Sequence, residues 1–132
     1  MKNIFLFLFL MLSTFTVTAA PCIPTRHAEV PNITNNSYHQ ARKKLLANQW
    51  QPLTTIPFNE AEETLRYSGN GWGFWEKGYQ EVETCAGTGF APCIFNFTDI
   101  YGNHLKVYTL GEELTENGIY AEVSEYGFYC KD

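Results

Sequence analysis

Four cysteines constrain the fold of this 132-residue chain more than any other feature. An even number of cysteines in a short chain of an oxidising compartment is typical of a disulfide framework, and four allow three pairings. We expect Cys85 to pair with Cys93, because residues 86–92 between them are rich in turn-forming residues and can join two strand ends. Cys22 and Cys130 then pair with each other and join the N-terminal part of the chain to its C-terminal end.

Metal binding is the alternative role for these cysteines. Zinc ligands usually come in closely spaced pairs, whereas seven residues separate Cys85 from Cys93. Of the histidines His27, His39 and His104, only His27 lies near a cysteine in the sequence. We therefore expect structural disulfides, no metal and no cofactor.

The N-terminal residues predict export. One positive charge precedes an uncharged apolar stretch, residues 4–12, which is shorter than the roughly 20 apolar residues of a membrane span. Small and hydroxylated residues follow, up to a cleavage point after Ala19. A lipid anchor on Cys22 would need a small residue before it, where Pro21 stands. We expect residues 1–19 to be a signal peptide and the mature protein to be periplasmic or secreted, without a stable membrane anchor.

The mature chain is small and acidic. Cleavage after Ala19 takes one lysine and no acid from 9 basic and 14 acidic residues, which leaves 8 against 14, a net charge of −6. This charge argues against nucleic acid and anionic membranes as partners. The remaining 113 of 132 residues suffice for one domain with one core.

An α+β domain is predicted over residues 37–132, after an extended entry segment over residues 20–36. Ser37 and Gln40 form a capping box at the start of the first helix. Its apolar residues recur at helical spacing: Tyr38, Ala41, Leu45 and Leu46. The basic residues 42–44 are expected on a solvated face.

Two weaker elements follow the first helix. Residues 50–55 predict a short strand, which Pro52 restricts to a sheet edge. A second helix is expected next, with Asn59 and Glu62 capping each other's backbone and an end by residues 68–71.

The second half of the chain predicts β-structure. Alternating apolar residues predict a hairpin of strands 93–98 and 105–109, and the turn at 117–118 precedes strand 119–123 and a last short strand, 128–130. Glu81 and Glu83 are expected to share a solvated strand face. One or two N-terminal helices would thus pack on a small antiparallel sheet of three to five strands, held by two disulfides.

One aromatic stretch, residues 69–79, is the candidate binding surface. Its aromatic residues, Trp72, Phe74, Trp75 and Tyr79, stand among glycines, and aromatic faces offer large, rigid contact area to a sugar, a peptide or a protein. The alternative is a glycine-rich connector whose rings fold back into a small core.

Two segments resemble known families. Residues 30–33 read Val-Pro-Asn-Ile, and residues 37–45 together with Trp50 continue in a way that resembles the opening of a PASTA domain. That resemblance implies a helix packed on a small sheet and contact with cell-wall peptidoglycan. Residues 66–68 and 74–78 are similar to a segment of bacterial inhibitors of C-type lysozyme, which are small exported β-barrels with a disulfide.

The functional expectation is a non-enzymatic binding protein. Neither a nucleophile elbow, a His-Glu-x-x-His motif, a phosphate loop nor a dinucleotide fingerprint occurs in the sequence. We expect contact with cell-wall glycan or peptide. The alternative is an inhibitor or immunity protein, for which an acidic domain could complement a basic exported enzyme such as a lysozyme-like muramidase. A hydrolase that uses glutamates ranks last.

Overall fold

The computed structural model describes residues 22–130, and this part of the chain contains three α-helices and a five-stranded antiparallel sheet. The expected α+β class is therefore confirmed. The helices are α1 (Tyr38–Ala47), α2 (Ala61–Leu65) and α3 (Gly71–Glu76), and the strands are β1 (Gln51–Pro52), β2 (Val82–Cys85), β3 (Cys93–Thr98), β4 (His104–Leu110) and β5 (Glu122–Tyr129). Each helix described here is too short or too polar to span a bilayer. The expected signal peptide, residues 1–19, lies outside the described residues.

β3 is the central strand of the sheet. It pairs with β4 on one side and with both β1 and β2 on the other, while β5 pairs with the far side of β4. The predicted β3–β4 hairpin is confirmed, and β1 lies at an edge as Pro52 requires, although it is only two residues long. The two predicted strands at 119–123 and 128–130 are instead the single strand β5, because its pairing with β4 continues from Glu122 to Tyr129.

α1 packs on the inner face of the sheet. The Ser37 hydroxyl accepts a hydrogen bond from the Gln40 backbone N–H at 3.2 Å, which confirms the N-terminal cap. The ring of Tyr38 stacks on the ring of Phe95 in β3, with centroids 3.6 Å apart. The Tyr38 backbone N–H also donates to the Ala121 carbonyl just before β5, at 2.9 Å. Ring packing and backbone bonding thus fix α1 against β3 and β5.

The segment between β1 and β2 differs from the expectation. α2 begins after Glu60 without a side-chain cap, so the predicted cap by Asn59 is wrong. The glycine-rich stretch is not a connector but contains α3, of which Gly71, Phe74 and Trp75 are buried at helical spacing. A Cβ on Gly71 would lie 3.0 Å from the Leu65 side chain, so this glycine lets α3 pack closely against α2.

Both predicted cysteine pairs are present. The Cα atoms of Cys85 and Cys93 are 4.1 Å apart, at facing positions of β2 and β3. The Cα atoms of Cys22 and Cys130 are 5.8 Å apart. The first disulfide closes the loop between β2 and β3, and the second joins residues that are 108 positions apart in sequence.

Residues 22–36 precede α1 without forming a helix or a strand, and side chains tie them to the domain. The Asp99 carboxylate, after β3, accepts from the Ala28 backbone N–H at 2.9 Å. The Trp50 indole N–H donates to the Glu29 carbonyl at 2.9 Å, and Ile33 is fully buried. This segment is therefore part of the packed domain.

Candidate functional site

A connected set of polar side chains joins α1 to the segment before β2 and to the loop between β4 and β5. We call this set the α1 network; its members are Tyr38, His39, Arg42, Tyr79, Glu81 and Glu113. Its inner half consists of Tyr38, Arg42 and Glu81, of which Tyr38 and Glu81 are fully buried. Its outer half consists of His39, Tyr79 and Glu113 and lies between α1 and the loop of residues 111–121, here called loop 111–121.

Glu81 is the centre of the inner half. Its side chain is fully buried, and its Oε1 accepts from the Tyr38 hydroxyl at 2.8 Å and from Arg42 Nε at 2.5 Å. The Arg42 guanidinium also lies 4.4 Å from the centroid of the Tyr79 ring. The expectation of a solvated face is therefore wrong for Glu81 and for the cation at position 42, whereas Glu83 is partly exposed. Glu81 lies just before β2, where the chain turns under α1.

Tyr38 and Arg42, in the inner half, both have raised pKa values. Burial raises the pKa of Tyr38 well above its ordinary value of 10.0, and the nearby Glu81 carboxyl raises it further. Burial would lower the pKa of Arg42, but its hydrogen bond and attraction to Glu81 outweigh burial, so that this pKa is raised. At neutral pH Tyr38 is therefore a neutral hydrogen-bond donor and Arg42 a fixed cation.

His39 is the centre of the outer half. Its Nδ1 is hydrogen-bonded to the Tyr79 hydroxyl at 2.8 Å, and its Nε2 contacts Glu113 Oε1. The other oxygen of Glu113 accepts from the Ala121 backbone N–H at 2.7 Å. Burial raises the pKa of Tyr79, although the Arg42 cation opposes this shift. Tyr79 therefore keeps its proton at neutral pH, and the His39 ring is held between a hydroxyl on one nitrogen and a carboxylate on the other.

Loop 111–121 is held by further contacts from the helical side of the domain. The Asn70 side chain donates to the Gly111 carbonyl at 3.1 Å and accepts from the Glu113 backbone N–H at 3.2 Å. Lys77, which follows α3, donates to the Thr115 hydroxyl at 2.6 Å. The loop is thus fixed at both its start and its tip.

Two adjoining clefts flank Thr115 in this loop. The first, which we call the α1 cleft, has a volume of about 370 Å³ and is lined by Ser37, His39, Gln40, Thr115 and Tyr120. The second, which we call the α3 cleft, has a volume of about 390 Å³ and is lined by Gly73, Lys77 and residues 113–117. His39, in the outer half of the α1 network, therefore forms part of the wall of the α1 cleft.

The predicted aromatic surface is only partly a surface. Phe74 is fully buried and packs edge-on against Phe95 at 5.1 Å between centroids, and Trp75 is also buried. The prediction that these two residues contact a ligand is corrected, because their rings complete the core. Trp72 and Tyr79 are half-buried against the core, and Tyr79 reaches the α1 cleft through His39.

Sequence patterns did not indicate the residues that line the α1 cleft. They come from residues 37–40 and 115–120, and His39 and Glu113 are separated by 74 positions. The turn at 117–118 indicated an exposed loop, but nothing local indicated that it lies against α1. Among residues 22–130, no group of three or more His, Cys, Asp or Glu side chains is placed to hold a metal ion.

No protein-family model matches the chain, and neither a curated protein nor a solved structure shows significant similarity to it. The resemblances at residues 30–50 and 66–78 therefore stay predictions.

Proposed function

We propose that this protein is exported, loses residues 1–19, and acts as a non-enzymatic binding protein in the periplasm or outside the cell. Two observations support export. The N-terminal sequence has the pattern of a signal peptide, and the two cysteine pairs are of the kind that persist in oxidising compartments.

The proposed ligand is cell-wall glycan or peptide, bound in the α1 cleft. One observation carries this proposal: the cleft combines neutral hydrogen-bonding groups with an exposed aromatic ring. Ser37 and Thr115 offer hydroxyls and Gln40 an amide, which suit sugar hydroxyls and peptide groups. The Tyr120 ring is 42% exposed and offers an apolar face. The volume of about 370 Å³ is within the usual range of small-molecule sites.

The α1 network prepares this cleft for binding. His39 is held by Tyr79 on one ring nitrogen and by Glu113 on the other. Its ring packs edge-on against Tyr120, with centroids 5.5 Å apart. A cleft whose walls are already ordered loses less conformational entropy when a ligand binds, which strengthens binding.

Co-sedimentation with purified peptidoglycan tests the proposal, using the chain purified from the periplasm of a bacterial host. We expect wild-type protein to sediment with the wall. Tyr120→Ala should weaken binding to soluble wall fragments about tenfold, since truncated aromatic contacts often have effects of this size. Tyr101→Ala is the matched control, because Tyr101 is equally exposed at 42% and lies in the β3–β4 turn. Absence of co-sedimentation, or equal effects of both variants, would contradict the proposal.

An inhibitor or immunity protein is the second candidate, favoured by the surface of loop 111–121. The loop exposes three large apolar side chains, Leu114, Ile119 and Tyr120, beside the exposed acids Glu112 and Glu116. Exposed apolar side chains flanked by acidic residues are suited to binding a partner protein that has a basic cleft. Because α1 and α3 already hold the loop, docking needs little further ordering.

Inhibition assays against lysozyme-like muramidases and amidases test the second candidate. Ile119→Ala should weaken inhibition about tenfold, whereas the exposed Ile100 in the β3–β4 turn provides a matched control variant, Ile100→Ala. A lack of inhibition across the panel would remove this candidate and leave the wall-binding proposal unaffected.

A further inference from the structure

The opposite face of the sheet carries a further cavity, which we call the sheet-face cavity. Side chains alternate along β3 and β4, so that Phe95 and Val107 face α1 whereas Asn96 and Lys106, which pair across the strands, face away from it. The cavity has a volume of about 240 Å³, and its walls include Leu53, Glu83, Asn96, His104, Lys106 and Tyr129. It is therefore separate from the α1 cleft.

Two opposite charges stand side by side in this cavity. Lys106 Nζ lies 3.3 Å from Glu83 Oε2 and 3.4 Å from Glu83 Oε1. The side chains of Lys106 and Glu83 are 17% and 32% exposed, so both charges are partly removed from water. The ammonium group also lies 4.4 Å from the centroid of the Tyr129 ring. Both contacts between the charges are longer than the usual charge-assisted hydrogen bond, which leaves each group able to bind a further partner.

Asn96 adds an unused hydrogen-bond donor. The residue is only 6% exposed, yet its side-chain nitrogen has no partner within the described part of the chain. Buried polar groups are nearly always hydrogen-bonded, and an exception calls for an acceptor that completes the site. Asn96 lines the sheet-face cavity, although its side-chain nitrogen is itself shielded from solvent, so the Lys106 ammonium is the donor that a carboxylate in the cavity meets first.

We propose that the sheet-face cavity binds a free α-amino acid in its zwitterionic form. The carboxylate lies against Lys106 and Asn96, the ammonium group lies against Glu83, and the side chain packs on Tyr129 and Leu53. A simple anion would be repelled by Glu83 and a simple cation by Lys106, whereas a zwitterion complements both charges at once. The volume of about 240 Å³ restricts the ligand to a small molecule of this kind.

Isothermal titration calorimetry tests this inference, with the protein purified from the periplasm of a bacterial host and free amino acids of both L and D configuration. We expect saturable binding of at least one amino acid. Its N-acetyl and methyl ester derivatives, which lack one charge each, should bind at least about tenfold more weakly. If neither free form binds at millimolar concentration, or if the derivatives bind as well as the parent, the proposal is overturned.

Variants separate the site from the rest of the molecule. Lys106→Met and Glu83→Gln should each weaken binding about tenfold or more. Lys43→Met, which removes an exposed cation from α1, should leave binding unchanged. Tyr120→Ala should also leave it unchanged, since Tyr120 lines the α1 cleft. Thermal unfolding identifies a variant that fails to fold, in which case the derivatives alone decide. Unchanged affinity in folded Lys106→Met and Glu83→Gln would contradict the proposal.

Discussion

Arg42 Nε donates to Glu81 Oε1 at 2.5 Å, beneath α1, where the Glu81 side chain is fully buried. The two residues are 39 positions apart, so this pair fixes α1 on the segment that leads into β2. Tyr38 adds a third group to the same oxygen. A buried carboxylate with a single ion-pair partner makes the fold depend on that partner.

Removal of the Arg42 side chain should destabilise the protein strongly. Arg42→Met leaves the Glu81 carboxyl buried with only the Tyr38 hydroxyl, and the free energy of unfolding should fall by about 3–5 kcal/mol. Lys43→Met on the exposed side of α1 should change it by less than about 0.5 kcal/mol. Denaturant unfolding measures both. The double variant Arg42→Met with Glu81→Leu should recover most of the loss, and a double variant as unstable as the single one would contradict this explanation.

The same buried cluster predicts loss of stability in alkali. Burial and Glu81 raise the pKa of Tyr38 above 10.0 in the folded protein, whereas in the unfolded chain it titrates near 10.0. A raised folded pKa gives stability that is complete below the unfolded value and is lost as pH rises through the folded value. The free energy of unfolding should therefore decline above about pH 10, by about 1.4 kcal/mol per pH unit for this proton.

Tyr38→Phe provides the test of this alkaline decline. Denaturant unfolding at several alkaline pH values should show that the free energy of unfolding of this variant falls less steeply with pH than that of wild type, by an amount that corresponds to about one proton. Tyr67→Phe changes an exposed tyrosine and serves as the control. Identical slopes in wild type and Tyr38→Phe would contradict the prediction.

Sequence patterns predicted the elements that depend on local order. The alternation of β3 and β4, the Ser37 cap and the turn-rich loop between Cys85 and Cys93 are each contained in a few consecutive residues, and all three are confirmed. α3 was missed because glycines lower intrinsic helix propensity, yet Gly71 is what allows close packing on Leu65.

The candidate site was missed for a different reason. The α1 cleft and the Arg42–Glu81 pair form only when distant segments meet, as the separations of 74 and 39 positions show for His39–Glu113 and Arg42–Glu81. A charge pattern alone places such residues on solvated faces. Aromatic content indicated the right neighbourhood through Tyr79, but the rings of Phe74 and Trp75 belong to the core.

Asp99 should make stability fall in acid. Burial would raise the pKa of its carboxyl, but hydrogen bonds from Asn103, Ala28 and Tyr101 outweigh burial and lower the pKa below its ordinary 3.8. A lowered folded pKa gives stability that is complete above 3.8 and is lost as pH falls through the folded value. The free energy of unfolding should therefore decline below about pH 4.

Asp99→Ala tests this acid dependence. At neutral pH the variant leaves the buried Ala28 N–H and the partly buried Tyr101 and Asn103 N–H groups without an acceptor, and its free energy of unfolding should be lower by about 1–3 kcal/mol. Its stability should then decline less steeply than that of wild type in acid, as denaturant unfolding can measure. Glu63→Gln, at an exposed position of α2, should leave both values unchanged. A slope in Asp99→Ala equal to the wild-type slope would refute the assignment.

The two disulfides should contribute unequally to stability. The Cys22–Cys130 bridge closes a loop of 108 positions and the Cys85–Cys93 bridge one of 8. In the chain-entropy model, removal of the first by paired serine substitutions should lower the free energy of unfolding by about 5 kcal/mol and removal of the second by about 2–3 kcal/mol. Denaturant unfolding of the two double variants measures the difference. A larger loss from the short loop would show that local packing, rather than chain entropy, dominates.

Gly69 and Gly89 separate two reasons for a glycine. Both have positive φ, 53° and 65°, but a Cβ on Gly69 would lie 2.5 Å from the Ala86 carbonyl oxygen, whereas a Cβ on Gly89 would have no neighbour within 4 Å. Gly89→Ala should therefore lower the free energy of unfolding by only about 1 kcal/mol, since the cost is that of placing alanine at positive φ. Gly69→Ala adds a steric clash with the Ala86 backbone and should lower the free energy of unfolding by about 2–4 kcal/mol. Thermal and denaturant unfolding compare the two, and equal losses would mean that the chain before α3 shifts away from Ala86 without resistance.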